Sequence, residues 1–219
     1  ETHRHDRLIP EALLKAMGEL GIFGISIPEN FGGTFFDHGT MIIATEELSR
    51  GSLGAGGSVI TRPEICAKAI LKGGTEEQKK YWLPRIARGE KIICVAVTEP
   101  DTGSDVARMK TTARKVDGGY VLNGAKTWIT NSPIADVAVV WANLDGKING
   151  FVVERGFDGF TTPKIDGKFS LRASITGQIM LDDCFVPEEN RLDVEGLKGP
   201  FSCLNKARYG ISWGAMGAA

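Results

Sequence analysis

Apolar residues in the first ninety positions recur at helical steps. Leu13, Leu14, Met17 and Leu20 are spaced by threes and fours, with Pro10 suited to a first helical turn, where its missing N–H is not needed. Gly21 and Gly24 interrupt that stripe, and Pro28 to Gly33 read as a loop. A second helix is predicted over about 37–50, burying Met41, Ile42, Thr45 and Leu48, and a third over about 62–71. A fourth opens at Thr75, because Thr75-Glu76-Glu77-Gln78 has the form of a capping box. Near Lys91 the period changes. Strands are predicted over 92–97, 110–116, 120–123, 138–142, 151–154 and 178–181, with tight turns at Asp117-Gly118-Gly119 and Asp145-Gly146-Lys147. Short strands joined this closely predict an antiparallel sandwich or barrel. After Gly199-Pro200, the spacing of Leu204, Ala207, Arg208 and Ile211 is helical again.

The expected fold class is therefore α+β, with an N-terminal helical domain over 1–91, a middle β domain over 92–199 and a further helical part beginning at 200–219. Hydrophobic residues make up 42% and charged residues 24% of the 219, which fits a globular core. Lys plus Arg number 26 against 27 Asp plus Glu, so no net field draws the chain to nucleic acid. No apolar run is long enough to span a bilayer. The chain starts without Met and stops inside a helical pattern, so it is expected to be a piece of a longer protein. Cys66, Cys94, Cys184 and Cys203 form no zinc spacing and are expected to be buried, reduced thiols. His3 and His5 lie on a polar terminus and read as solvated, so no metal is expected.

Two motifs are decoys. Gly54-Ala55-Gly56-Gly57 lacks the preceding strand that a dinucleotide loop requires, and reads instead as a helix break or tight loop. Asp101-Thr102-Gly103-Ser104 has the form of an aspartic-protease tetrad, but no second copy is present to share the proton.

The chemistry gathers in two other segments. Val95 to Asp105 carries a strand into a turn of Pro, Gly and small hydroxyl residues, able to offer N–H and O–H groups to a phosphate or a polar ring edge. In Lys126-Thr127-Trp128-Ile129-Thr130-Asn131-Ser132, strand alternation places Trp128 and Thr130 on one face. An indole beside a hydroxyl suits a planar, heteroatom-edged ligand, and equally a core Trp with a surface Thr.

These segments resemble the acyl-CoA dehydrogenase family. The matching residues are Val97-Thr98-Glu99-Pro100 with Gly103-Ser104-Asp105, and Gly124, Lys126 and Trp128 to Asn131. Gly32-Gly33, Gly74 to Lys79, Leu83-Pro84 and Gly89-Glu90 also match, in order. Within the family, Gly167 to Ser174 and Gly199 to Ile211 look most like glutaryl-CoA dehydrogenase.

The resemblance implies a middle β-sandwich or barrel and makes 200–219 the start of a C-terminal helical bundle. It implies FAD, lined by Val95, Val97, Thr98, Gly103, Ser104, Trp128, Ile129 and Thr130. Thr98 would meet the isoalloxazine edge, Ser104 the pyrophosphate and the acyl-CoA, Trp128 the ring and Thr130 N5. Phe201, Leu204, Asn205 and Arg208 would join Ser104 in the acyl-CoA site, with Asn205 and Arg208 toward the CoA.

The reaction it implies is α,β-dehydrogenation of a short-chain acyl-CoA, passing electrons to an electron-transfer flavoprotein, within a homotetramer in the bacterial cytoplasm or mitochondrial matrix. The base Glu is expected in a C-terminal domain beyond this chain. Ala207 occupies the position where a minority of the family places it, so the chain alone is expected to be inactive. Glutaryl-CoA, with decarboxylation, is one expected substrate. The Arg that would meet its distal carboxylate aligns with the Gly54–Gly57 run, and Thr61-Arg62-Pro63-Glu64 looks more like the methylsuccinyl-CoA branch. Other short or branched acyl groups, an oxygen-using relative, and a binding module without a base remain open alternatives.

Overall fold

The computed structural model describes residues 9–219, so His3 and His5 lie outside the described residues. Its helical half holds α1 (Glu11–Glu19), α2 (His38–Gly51), α3 (Leu53–Val59), α4 (Lys68–Gly73) and α5 (Glu76–Ala87). A π-helical stretch, Ile60–Ala67, joins α3 to α4. Pro63 falls inside it, and a proline that cannot donate to the preceding turn favours such a widened register. Glu64 in this stretch is fully buried and ion-paired to Lys68 at 2.5 Å, with the Ser26 hydroxyl donating to its other oxygen.

The capping box forms as the sequence predicts. The Gln78 N–H donates to Thr75 Oγ1 at 3.2 Å, and the Thr75 N–H donates to Gln78 Oε1 at 3.0 Å. The Gln78 amide also donates to Glu189 O at 2.7 Å, tying the start of α5 to the turn at 188–190.

The glycine run does not break the helix as expected, because Gly54 to Gly57 lie inside α3. A Cβ on Gly56 would stand 1.8 Å from Ser49 Oγ and 3.2 Å from Thr45 O. Close packing of α3 on α2 therefore outweighs the weak helix propensity of glycine, roughly 1 kcal/mol per residue relative to Ala.

The other half is a single mixed sheet of β1 (Ile93–Ala96), β2 (Thr112–Val116), β3 (Gly119–Thr130), β4 (Val137–Leu144), β5 (Lys147–Glu154), β6 (Phe160–Thr161), β7 (Thr176–Pro187) and β8 (Arg191–Glu195), followed by α6 (Lys198–Ala218). The order is β6-β7-β3-β2-β4-β5-β8, with β1 also paired to β4. Most neighbours are antiparallel, as expected. β1 and β2, however, run parallel to β4 and share its edge end to end, β1 against Val137–Val140 and β2 against Asn143–Leu144. The chain between them, 97–111, leaves the sheet at that break.

Side chains of helices, sheet and α6 share one core: Ile70, Trp82 and Leu83 belong to the same cluster as Val139, Trp141, Leu192 and Cys203. The opposite face of the sheet has its own cluster around Leu122, Phe151 and Ile179. All four cysteines are buried and none is in a disulfide, and burial pushes the Cys94 thiol up to about 12 and the Cys184 thiol to about 11. They serve as packing groups. Among the described residues, no helix is long and apolar enough to cross a membrane.

Candidate functional site

The excursion between β1 and β2 is organised by one carboxylate. Glu99 accepts the backbone N–H groups of Lys110 at 2.6 Å and Thr111 at 2.9 Å, and the ammonium of Lys126 at 2.8 Å. The Lys126 side chain is fully buried, and it also donates to Val97 O at 3.2 Å. Burial acts to raise the Glu99 pKa, but the bonds from Lys126, Thr111 and Lys110 outweigh it and hold the carboxyl below its usual range. One further bond, from the Thr127 N–H to Thr98 O at 2.9 Å, sets Thr98 beside β3.

β3 ends irregularly. Its register against β7 slips between Lys126, opposite Ile179, and Ile129, opposite Gly177. Trp128 takes up the extra residue at φ 60 and Asn131 follows at φ 68. Such conformations are unfavourable for a bulky side chain and concentrate at ligand sites. The simple alternation expected from sequence is thus replaced by a bulge. Trp128 is 60% exposed, while Ile129 is buried and Thr130 is half-buried. Arg155 fixes the turn that follows, donating to Ala135 O at 2.6 Å and Ser132 O at 2.8 Å.

Thr130, Leu171, Ser174, Leu204, Ala207 and Arg208 meet around a cavity of about 290 Å³. Leu53, Gly57 and Ile65, from α3 and the π-helical stretch, supply more of its apolar wall. The cavity therefore brings Thr130 together with Leu204 and Arg208, which lie more than seventy positions away in the sequence.

The other expected site residues are placed elsewhere. Gly103 and Ser104 are exposed on the excursion, and Asn205 is exposed on α6, accepting from Arg208 Nη1 at 3.1 Å. Val97 and Ile129 are core residues, with Val95 and Phe201 packed against the core. Thr98 is half-buried beside β3. The Arg62 side chain lies outside the described residues.

Two buried polar atoms in these segments, Thr102 Oγ1 and Asn131 Nδ2, have no protein partner. With the exposed indole, they fit a polar, planar ligand better than a sealed core. In the sequence Glu99 and Lys126 stand out as motif residues but not as a pair. Two residues 27 apart carry no local signal of a buried ion pair.

Fold, excursion and cavity together define the class: the chain belongs to the acyl-CoA dehydrogenase family. Residues 1–90 match the acyl-CoA dehydrogenase N-terminal domain and residues 94–184 its middle domain. The chain is 41% identical over 213 residues to the mitochondrial isovaleryl-CoA dehydrogenase of Arabidopsis thaliana, covering 94% of this chain and 52% of that protein. It superposes with a TM-score of 0.94, at 41% identity, on a glutaryl-CoA dehydrogenase from Mycobacterium smegmatis in complex with FADH2, covering 98% of this chain and 55% of that one. A chain in the structure of the electron transferring flavoprotein of Acidaminococcus fermentans gives a TM-score of 0.94 at 37% identity, covering 99% and 58%. The chain spans about half the length of the curated relatives it matches.

Proposed function

We propose that this chain forms the cofactor- and thioester-binding half of an FAD-dependent acyl-CoA dehydrogenase acting on a short acyl chain, with domains dividing near residues 91 and 199. The observation that carries the reading is the cavity joining Thr130 of β3 to Leu204 and Arg208 of α6. Bound FAD supplies the two-electron acceptor for the hydride that leaves the β carbon.

The chain's residues orient and enclose. Trp128 offers a ring face, and the hydroxyls of Thr98 and Thr130 offer hydrogen bonds to a heteroatom edge. Gly103 and Ser104, without bulk, let backbone N–H groups approach a pyrophosphate, and Ser104 faces the acyl-CoA as well. Arg208, permanently charged, and Asn205 are directed to the CoA moiety, with Phe201 behind them. The apolar wall keeps water from the reacting carbons and aligns the thioester.

No described cavity residue can take the α proton: Ala207 is apolar, and Thr130, Ser174 and Arg208 are not bases at neutral pH. The base is a Glu of the remaining half, and the 219 residues alone are inactive. Electrons pass to an electron-transfer flavoprotein, a partner supported by the kinship with the Acidaminococcus fermentans chain. The assembly is a homotetramer in the bacterial cytoplasm or mitochondrial matrix. Glutaryl-CoA, with decarboxylation, is the first substrate to test, then methylsuccinyl-CoA and other short or branched acyl-CoAs. Ala207 also favours a second reading, an acyl-CoA or flavin binding module without a base.

The experiment is the anaerobic visible spectrum of the whole gene product before and after glutaryl-, methylsuccinyl- and butyryl-CoA. Bleaching by one of them is expected. A protein that cannot be loaded with FAD refutes the reading, and a flavin that stays oxidised with every acyl-CoA leaves the binding module standing. In the same assay, Thr130→Val is expected to slow single-turnover bleaching by roughly tenfold or more, the loss of one hydrogen bond to a polarised atom. An unchanged rate would remove Thr130 from that role.

A further inference from the structure

A loop between β6 and β7 covers one side of the cavity, and a lysine holds it. The Lys168 Nζ donates to Leu171 O at 2.9 Å, to Thr176 Oγ1 at 2.8 Å and to Ser174 O. The Ser174 N–H donates to Leu171 O at 3.0 Å and closes a turn. Leu171 sits in that turn at φ 49, a conformation that a leucine holds only when its surroundings impose it.

Apolar packing gives the turn little support at its tip. Phe169 is fully exposed and Leu171 is 42% exposed, and only Ala173 and Ile175 are buried. The ammonium supplies ties where this packing is thin, and its acceptors run from the turn to the first residue of β7. Thr176, at that end, is the register partner of Thr130 across β3 and β7. Leu171 and Ser174 both line the cavity, so the lysine joins the loop side of the wall to the strand side.

We infer that Lys168 is a positioning residue whose ammonium latches the Leu171–Ser174 turn onto the start of β7 and so shapes the wall against which the acyl thioester packs. The substrate part of this inference rests on the acyl-CoA reading above; the latch itself does not.

Two measurements on the whole gene product test it. In Lys168→Met, amide hydrogen exchange across 169–175 is expected to rise about tenfold, with peptides from β4 unchanged as a control for folding. The acyl-CoA KM is expected to rise about tenfold with kcat within about twofold, the pattern of lost binding shared by ground and transition states. Lys168→Arg, which keeps a permanent donor, should bring both back to within about threefold of the native values. If K168M does not fold, K168Q replaces it in the same comparison.

Unchanged exchange overturns the latch. Raised exchange with an unchanged KM overturns its part in substrate binding. A native protein bleached by no acyl-CoA defeats the dehydrogenase reading separately, and the exchange result then decides the latch by itself.

Discussion

Lys126→Met is expected to destabilise the protein by about 3–5 kcal/mol, because it strands a buried carboxylate. Glu99 is 5% exposed, and without the ammonium it keeps only the two backbone N–H donors of Lys110 and Thr111. The double variant Glu99→Gln with Lys126→Met removes both charges and should recover a large part of that loss, as a double-mutant cycle by chemical denaturation would show.

The pH dependence follows from the same pair. The folded Glu99 pKa lies below its ordinary value, so the unfolded chain binds the proton more readily. Its stabilising contribution is complete above the unfolded value of about 4.3 and is lost as pH falls through the folded one. In K126M the acid limb should begin at higher pH, since the chief opposing donor is gone. A loss below about 1 kcal/mol would place the pair among solvated surface bridges, whose worth is that small. The consequence for the site is direct, because the pair holds the Thr98 loop beside the Trp128 bulge.

Gly33→Ala should cost about 3 kcal/mol, the upper end of what overpacking does. A Cβ there would lie 1.8 Å from Ile27 O and 2.4 Å from its carbonyl carbon, backbone atoms that no rotamer change can move aside. Ile27 is fully buried, and its carbonyl accepts the Phe35 N–H at 3.2 Å, so the displacement would disturb core and turn together. Gly103→Ala, with open space around the added atom, is the control and should change stability by less than about 0.5 kcal/mol. Equal midpoints for the two variants in a denaturation series would show that the Ile27 segment yields. The motif glycines also gain a reason: Gly32, at φ 76, rests on Pro84 of another matched motif, with the nearest approach 3.3 Å from a would-be Cβ.

Much of this was legible where the signal is local. Thr75 and Gln78 announce a helix start because both partners lie within one turn. The strand texture after Lys91 and the turns at Asp117 and Asp145 were equally readable. The edges were not: β6 is two residues long, and β8 alternates Leu192 and Val194 with charges in a way that also suits a loop. Helix α3 was hidden because its glycines are chosen by the neighbouring helix. Of the candidate site, Trp128 and Thr130 could be picked out as an indole and a hydroxyl in one strand, and the family motif gave them roles. The bulge at Trp128, the Glu99–Lys126 pair and the Lys168 latch depend on contacts between distant segments, which no periodicity encodes.

The shared core of helices, sheet and α6 has a consequence for how the molecule comes apart. Severing the chain near residue 91 would leave Trp82 and Leu83 on one piece and Val139, Trp141 and Leu192 on the other, each facing water with a surface built for its counterpart. Neither piece should keep a folded state by itself, and heating should melt both in one transition with equal calorimetric and van't Hoff enthalpies. The two segments that match separate domain models should thus behave as one thermodynamic unit.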